Sequence, residues 1–184
     1  MLTLAPGRYP RSRAIVLSVY RSHEKDLRAV LLHERDGKRW LLARGGRASR
    51  KGVAAALQPG NAVDVLLYRR GDQDTLQQIE ICASPFERVN TPARLYSLHY
   101  LLWITEHWCE WSTPVSALYG LLQRGITTVC DLGETQLADI SRRYERALLV
   151  EEGLWRAEQP LSPRDFRRIF EEHRHRQLPR HFVV

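Results

Sequence analysis

The hydrophobic pattern of this chain changes near Ser84-Pro85, and that change limits the folds it can adopt. Before this point, apolar residues come in short runs rich in β-branched side chains, which is typical of strands. After it, they recur at helical spacing behind Thr-Pro start signals. The sequence therefore predicts an α+β protein, with a strand-rich domain over residues 1–85 and an all-helical domain over residues 86–184.

Five strands are predicted in the first half. They cover residues 14–20, 27–33, 38–44, 62–69 and 75–82. Asp36-Gly37 is a hairpin signal, and an irregular or helical segment over 48–57 follows the third strand. Five short strands fit an SH3-like barrel or the Greek-key barrel called the OB-fold, and the long insertion favours the OB-fold. Strict alternation along the fifth strand places Leu76 and Ile79 on opposite faces.

Four helices are predicted in the second half. The first follows Thr91-Pro92, the second covers 115–124 and ends at Gly125, and the third covers 135–152. The fourth begins at a capping box, Ser162 to Asp165, and runs to about His173. Both halves are small, so we expect them to bury surface against each other.

All of the net positive charge lies in the first half. Residues 1–85 contain fifteen Lys and Arg and eight Asp and Glu, whereas residues 86–184 contain thirteen of each kind. The segment 37–63 contains six basic residues and no acidic one. Cations without counter-charge repel one another, which favours an anionic ligand, and a nucleic acid backbone is the large anion most available to a cytosolic protein. A solvated loop that improves solubility is the alternative.

The predicted nucleic-acid-binding residues lie in and just after the third strand. Gly45-Gly46 would let the backbone approach phosphates, and the surrounding cations would supply ion pairs. Trp40 fits equally well as barrel core and as a platform for base stacking, and the same ambiguity applies to Tyr20 and Tyr68. The predicted set is Lys38, Arg39, Trp40, Arg44, Arg47, Arg50 and Lys51.

No catalytic motif is present in the sequence. There is no phosphate-cradling glycine motif followed by Lys-Ser/Thr, and no Gly-x-Ser-x-Gly. The three cysteines form no Cys-x-x-Cys pair, and His99 and His107 would stand about 12 Å apart on one helix, too far to share a ligand. No apolar stretch is long enough to cross a bilayer. We therefore expect a non-enzymatic, cytoplasmic protein with no metal, no cofactor and no membrane contact.

Several stretches of the chain resemble the RecO family of recombination mediators. The family's N-terminal barrel is resembled by segments 14–20 and 27–33, by Gly37-Lys38 leading to residues 42–47, and by residues 57–60 followed by 63–68. The segment 142–154, rich in Arg, Glu and Leu, resembles a family helix, and 160–170 resembles its closing helix. Members often carry a four-cysteine zinc module between these helices. Here residues 153–159 join them directly, so the chain resembles a shortened form.

The resemblance implies an OB-fold on a helical domain and a role in DNA repair and recombination. It implies binding of single- and double-stranded DNA, annealing of complementary strands, and help in loading recombinase onto strands coated by single-strand-binding protein. It also implies partnership with RecR and with the acidic tail of that coating protein, and a nucleoid-associated location. The missing zinc module weakens the expectation of partner binding through the helical half.

A second candidate surface lies on the third predicted helix. Arg142, Arg143 and Arg146 would meet the carboxylates of an acidic, aromatic-ended peptide beside Trp103 or Trp108. Ordinary amphipathic helix surface is the alternative. Two other functions also fit the sequence: an RNA-binding barrel, and an adaptor whose barrel docks acidic proteins.

Overall fold

The computed structural model describes residues 7–8, 10–50, 52–70 and 73–174. The first part consists of β1 (Gly7–Arg8), β2 (Ser12–Ser22), β3 (Asp26–His33), β4 (Gly37–Ala43), α1 (Val53–Ala56), β5 (Ala62–Arg70) and β6 (Gln73–Ala83). The second part consists of α2 (Pro92–Trp108), α3 (Ser116–Asp131), α4 (Glu134–Leu137), α5 (Ile140–Glu151) and α6 (Pro163–Arg174). None of the helices in the described ranges has the length and apolar character needed to cross a membrane.

Five long strands close into a barrel. The order is β5-β2-β3-β4-β6, and β6 pairs back to β5, while the two-residue β1 pairs with β5 beyond the end of β2. This topology confirms the predicted OB-fold followed by helices. The β4–β6 pair is parallel and contains only the pairs Leu41–Asp74 and Leu42–Thr75. The barrel therefore has a weak seam between β4 and β6.

Small and branched side chains fill the barrel. They are Ala14, Val16, Leu27, Ala29, Leu31, Leu41, Ala43, Leu57, Val63, Val65 and Leu67. An extra residue in β6, Gln77, interrupts the pairing with β5, because Leu67 pairs with Leu76 and Leu66 pairs with Gln78. This bulge turns both Leu76 and Ile79 toward the core. The prediction that they lie on opposite faces was therefore wrong.

The predicted start signals at Thr91 and Ser162 are confirmed, but the predicted helix end at Gly125 is wrong. Thr91 and Ser162 cap α2 and α6, since the Ser162 hydroxyl accepts a hydrogen bond of 3.1 Å from the Asp165 backbone N–H. However, α3 continues through Gly125 instead of ending there. A Cβ at Gly125 would lie 3.0 Å from Leu101 and 3.1 Å from Tyr144, so this glycine permits close helix packing. The predicted third helix is divided into α4 and α5.

The outer face of the barrel and the helices share a hydrophobic core that is separate from the barrel interior. The outward-facing residues Ile15, Leu17, Val30 and Leu32 of β2 and β3 are buried in the same cluster as α2 side chains such as Leu98 and Leu101. Each such side chain gains roughly 1.5–3 kcal/mol from leaving water. The helical half is therefore attached to the barrel by apolar packing on part of the outer face of β2 and β3.

The segment 109–115, which joins α2 to α3, lies against the free edge of β4. Lys38 pairs with Leu32 on one edge, and on the other it forms a β-bridge with Trp111. The Ser112 N–H donates to the Lys38 carbonyl at 2.9 Å, and the Arg39 guanidinium donates to the Ser112 hydroxyl at 2.9 Å. Because β6 does not reach this part of β4, the link supplies the missing neighbour.

A buried ion cluster also holds the seam. The Asp74 carboxylate accepts from Arg39 at 2.6 Å and from Arg69 at 2.7 Å, and Arg69 also donates to Asp36 at 3.1 Å. Burial alone would raise the pKa of the Asp74 carboxyl, but hydrogen bonds from Arg69 and Arg39 outweigh it and hold the pKa below its ordinary value. The cluster thus connects β4, β5 and β6 beside the short backbone pairing of β4 with β6.

His33 lies beside this cluster as a neutral ring. It is 1% exposed, and one ring nitrogen lies 3.1 Å from the Ser12 hydroxyl. Burial lowers its pKa to about 4, although the carboxylates of Asp36 and Asp74 favour the charged form. The folded protein therefore keeps this imidazole uncharged at neutral pH.

We expect Gly37→Ala to weaken the attachment of the helical link to the barrel. Gly37 has φ 71°, and a Cβ there would meet the Thr113 carbonyl oxygen at 1.8 Å. Gly52 has the same φ, but a Cβ there would have no neighbouring atom within 4 Å, so Gly52→Ala carries only the backbone cost of about 1–2 kcal/mol. Urea unfolding should show a larger loss for Gly37→Ala, of about 3 kcal/mol or more. Equal losses in the two variants would contradict this assignment.

We expect the free energy of unfolding to fall by about 3 kcal/mol as the pH drops from 6.5 to 4, through His33. The unfolded chain binds this proton near pH 6.5, whereas the folded chain binds it only near pH 4. Urea unfolding across this range should show a free energy of unfolding that falls by about 3 kcal/mol more in His23→Asn, at an exposed turn, than in His33→Gln. Burial raises the pKa of Glu145 to about 7, which adds an opposite slope to both variants, so their difference isolates His33. Parallel profiles would refute the expectation.

Candidate nucleic-acid interface

The predicted residues of β4 alternate between the two faces of the barrel wall. Trp40 and Arg44 face outward and are exposed, while Arg39 faces inward. The structure therefore places Trp40 outside the core, with 41% of its surface exposed, and Tyr20 and Tyr68 are exposed as well. Arg44, Arg47 and Arg50 are exposed. Lys51 lies outside the described residues.

Lys38 and Arg39 are buried and do not lie on the open surface with the other predicted cations that the structure describes. The Lys38 ammonium donates to the Glu106 carbonyl at 2.5 Å and lies 4.4 Å from the centre of the Trp111 ring. The Arg39 guanidinium is paired with Asp74. These partners lie far away in the chain, so a local run of cations could not reveal them.

A row of side chains in register crosses five strands on the outer face of the barrel. The ladder pairs Tyr20 with Arg28, Arg28 with Leu42, Leu42 with Thr75, and Thr75 with Tyr68. Four strand spacings of about 4.8 Å give the row a length of roughly 19 Å around the barrel. We call these five residues the barrel row: it has an exposed tyrosine at each end and an exposed arginine within it.

Sequence reasoning missed Arg28. A bulge in β2 at Leu17, between the pairs Val16–Leu31 and Ser18–Val30, reverses the alternation of the strand. Without this bulge Tyr20 would share the inward face of Val16. With it, Tyr20 faces solvent and pairs with Arg28, which the alternation of β3 itself turns outward. The signal depends on pairing between strands and is absent from the local pattern.

Aromatic side chains flank the barrel row on one side. The Trp40 ring stacks on Trp111 with a centroid separation of 5.2 Å and an interplanar angle of 15°. It also contacts Tyr20, whose ring is tilted by 50° at 5.8 Å. We call Tyr20, Trp40 and Trp111 the seam cluster. Trp111 was not predicted, because its position depends on the link at the seam of the barrel.

Cations flank the row on the other side. Arg44 lines a shallow groove with Tyr68, Gln73, Thr75 and Gln77. The following turn packs on the β2–β3 connection, because the Gly45 N–H donates to Asp26 at 2.7 Å and the Arg47 guanidinium donates to the Glu24 carbonyl at 2.7 Å. Within the described ranges, Arg44, Arg47 and Arg50 form no ion pair with a carboxylate. Their charge is therefore directed to solvent.

The second candidate surface keeps its cations but loses one predicted wall. Arg142, Arg143 and Arg146 are exposed on α5. Trp108, however, is 0% exposed in the shared core, so its prediction as a groove wall was wrong. Trp103 is half-buried and stacks on His107 at 4.3 Å. Trp108 packs against α6 instead of lying beside the arginines, where the helical pattern predicted it.

Comparison with known proteins relates the barrel residues to a described family. Residues 8–85 match a family model described as Recombination protein O N terminal. The chain is also 23% identical over 123 residues to a DNA repair protein RecO of Chlorobaculum parvum. That match covers 66% of this chain and 47% of the relative. The chain thus spans about half the length of the curated relative that it matches.

Proposed function

We propose, on the premise that this chain belongs to the RecO family through its N-terminal barrel, that it is a non-enzymatic DNA-binding protein of recombination and repair. It would bind single- and double-stranded DNA on the outer face of the barrel. The observation that carries the proposal is the barrel row with Arg44 beside it, together with exposed Arg47 and Arg50; the charges of these three arginines have no carboxylate partner among the described residues. An exposed cationic strip with aromatic ends suits a flexible polyanion.

The chemistry of this surface favours annealing of complementary strands. Two strands repel each other through their phosphates, and a cationic surface that neutralises both raises their local concentration. Arginine contacts to phosphate carry no sequence information, so any complementary pair can use them. Contacts of this kind weaken with salt and allow the duplex product to leave.

The family also suggests how the protein would act among others. We propose that it assists the loading of recombinase onto strands coated by single-strand-binding protein, together with RecR. The acidic tail of the coating protein is the candidate ligand of Arg142, Arg143 and Arg146 on α5. These exposed guanidinium groups can pair with carboxylates, and half-buried Trp103 remains as a candidate apolar contact.

An alternative function rests on the same surface. An RNA-binding barrel, or an adaptor for acidic proteins, would use the same arginines and the same exposed rings. Contact with the 2′-hydroxyl distinguishes RNA from DNA at a given site. Matched DNA and RNA strands of one sequence, and competition between DNA and an acidic peptide, separate these functions.

Replacing Arg44, Arg47 and Arg50 together with alanine should abolish strand annealing while the protein remains folded. Removal of three phosphate contacts should also make the slope of log affinity against log salt shallower by about 2 for a single strand. Fluorescence titration at several salt concentrations measures this slope. The control is the triple alanine variant of Arg142, Arg143 and Arg146, which loses the same charge on α5. An unchanged annealing rate in the barrel variant, or equal losses in both, would refute the proposed surface.

The same α5 variant tests the second surface. Calorimetry with an acidic peptide ending in an aromatic residue should give heat with the natural sequence and none with the alanine variant of Arg142, Arg143 and Arg146. The barrel variant should retain this heat, because its substitutions lie on the other half of the chain. Absence of heat with the natural sequence at high peptide concentration would end the peptide-binding proposal.

A further inference from the structure

The seam cluster is an exposed aromatic surface, and phosphate contacts by the exposed arginines do not explain why it is exposed. Tyr20, Trp40 and Trp111 are 48%, 41% and 44% exposed, and the Trp40 ring contacts both of the others. Neighbouring large rings left in water mark a binding surface more often than a structural one. Their chemistry is suited to flat, unsaturated ligands rather than to phosphates.

Both halves of the chain build this surface. Tyr20 comes from β2, Trp40 from β4, and Trp111 from the link between α2 and α3. Backbone contacts fix the link, and the Lys38 ammonium lies against the Trp111 ring at 4.4 Å. Ser112 next to it holds φ 56°, a left-handed conformation that a serine rarely adopts without support. The rings are therefore held in place before any ligand arrives.

The seam cluster is continuous with the barrel row. Tyr20 belongs to both, and Arg28 lies beside it in the ladder. Trp40 is two residues from Leu42 on the same outward face of β4. A strand whose phosphates follow the exposed arginines would therefore bring its bases to these rings.

We propose that the seam cluster binds unpaired nucleobases by stacking, and that it gives the protein a preference for single strands over duplex. This deepens the proposed function, on which it rests. Every base has a π-face, so stacking tolerates any sequence, whereas bases inside a duplex already stack on one another. The phosphate contacts hold either form, and the aromatic rings distinguish them.

The composite origin of the site has a second implication. Because Trp111 comes from the helical half, single-strand binding depends on the link that crosses the seam. The barrel alone carries Tyr20 and Trp40 but only part of the stacking surface. Selectivity for single strands is thus a property of the two halves together.

The experiment compares single-stranded and duplex oligonucleotides of one sequence with the full chain and with Trp111→Ala, Trp40→Ala and Tyr20→Ala. Each variant should lose about tenfold in single-strand affinity, since loss of one stacked base costs about that much, with little change for duplex. Trp111→Phe should recover most of the affinity that Trp111→Ala loses. Leu95→Ala removes an exposed apolar side chain near the other end of α2 and is the matched control. Tyr20→Ala leaves the link intact and separates stacking from changes at the seam.

Two outcomes would overturn the inference. Single-strand affinity that is unchanged in all three alanine variants would show that the rings do not contact bases. Parallel losses for both ligands would show that the rings support the fold or an unselective contact. In either case a salt-dependent affinity of the natural sequence would leave the proposed function standing. A natural sequence that binds neither oligonucleotide would refute the proposed function itself.

Discussion

The arrangement of this protein depends on one buried carboxylate, Asp74, held between Arg39 and Arg69. Breaking such a cluster by removing one member typically costs about 3–5 kcal/mol, because the remaining charge stays buried without its partner. The cluster closes the barrel where β4 and β6 share only two backbone pairs. Since β6 leaves most of the β4 edge uncovered, the link between the helices can lie there. The position of Trp111, and with it the seam cluster, follows from this incomplete closure.

The basic segment of the sequence serves two purposes that its composition does not separate. Within the folded protein, the Lys38 ammonium donates to the Glu106 backbone carbonyl and the Arg39 guanidinium donates to the Asp74 carboxylate. Arg44, Arg47 and Arg50 face solvent. A count of local charge treats all of them alike, because the groups that bind Lys38 and Arg39 are brought close only by folding. Basic residues of this one segment thus both hold the barrel closed and supply the proposed contact with an external anion.

The fold could be predicted where a short local motif determines a turn or a helix cap. Asp36-Gly37, the Thr91 cap and the Ser162 box each correspond to an element of the structure. The five strands fitted two kinds of barrel, and the long insertion after the third strand favoured the OB-fold. Gly125 was wrong as a helix end, because its small size serves packing against Leu101 and Tyr144. The bulges at Leu17 and Gln77 were not predictable, because a bulge is defined by a neighbouring strand. Trp40 was predicted as a candidate, but Arg28 and Trp111 depend on pairing across the sheet and at the seam.

The apolar face shared by β2, β3 and α2 also determines whether the barrel can fold without the helices. Residues 8–85 align with a family domain, yet Ile15, Leu17, Val30 and Leu32 are covered by the helices. Cutting the chain at that alignment boundary would leave four large aliphatic groups in water on a single sheet, a surface prone to self-association. The segment that aligns with the family is thus smaller than the unit that buries this face, and we expect the two halves of the chain to unfold together.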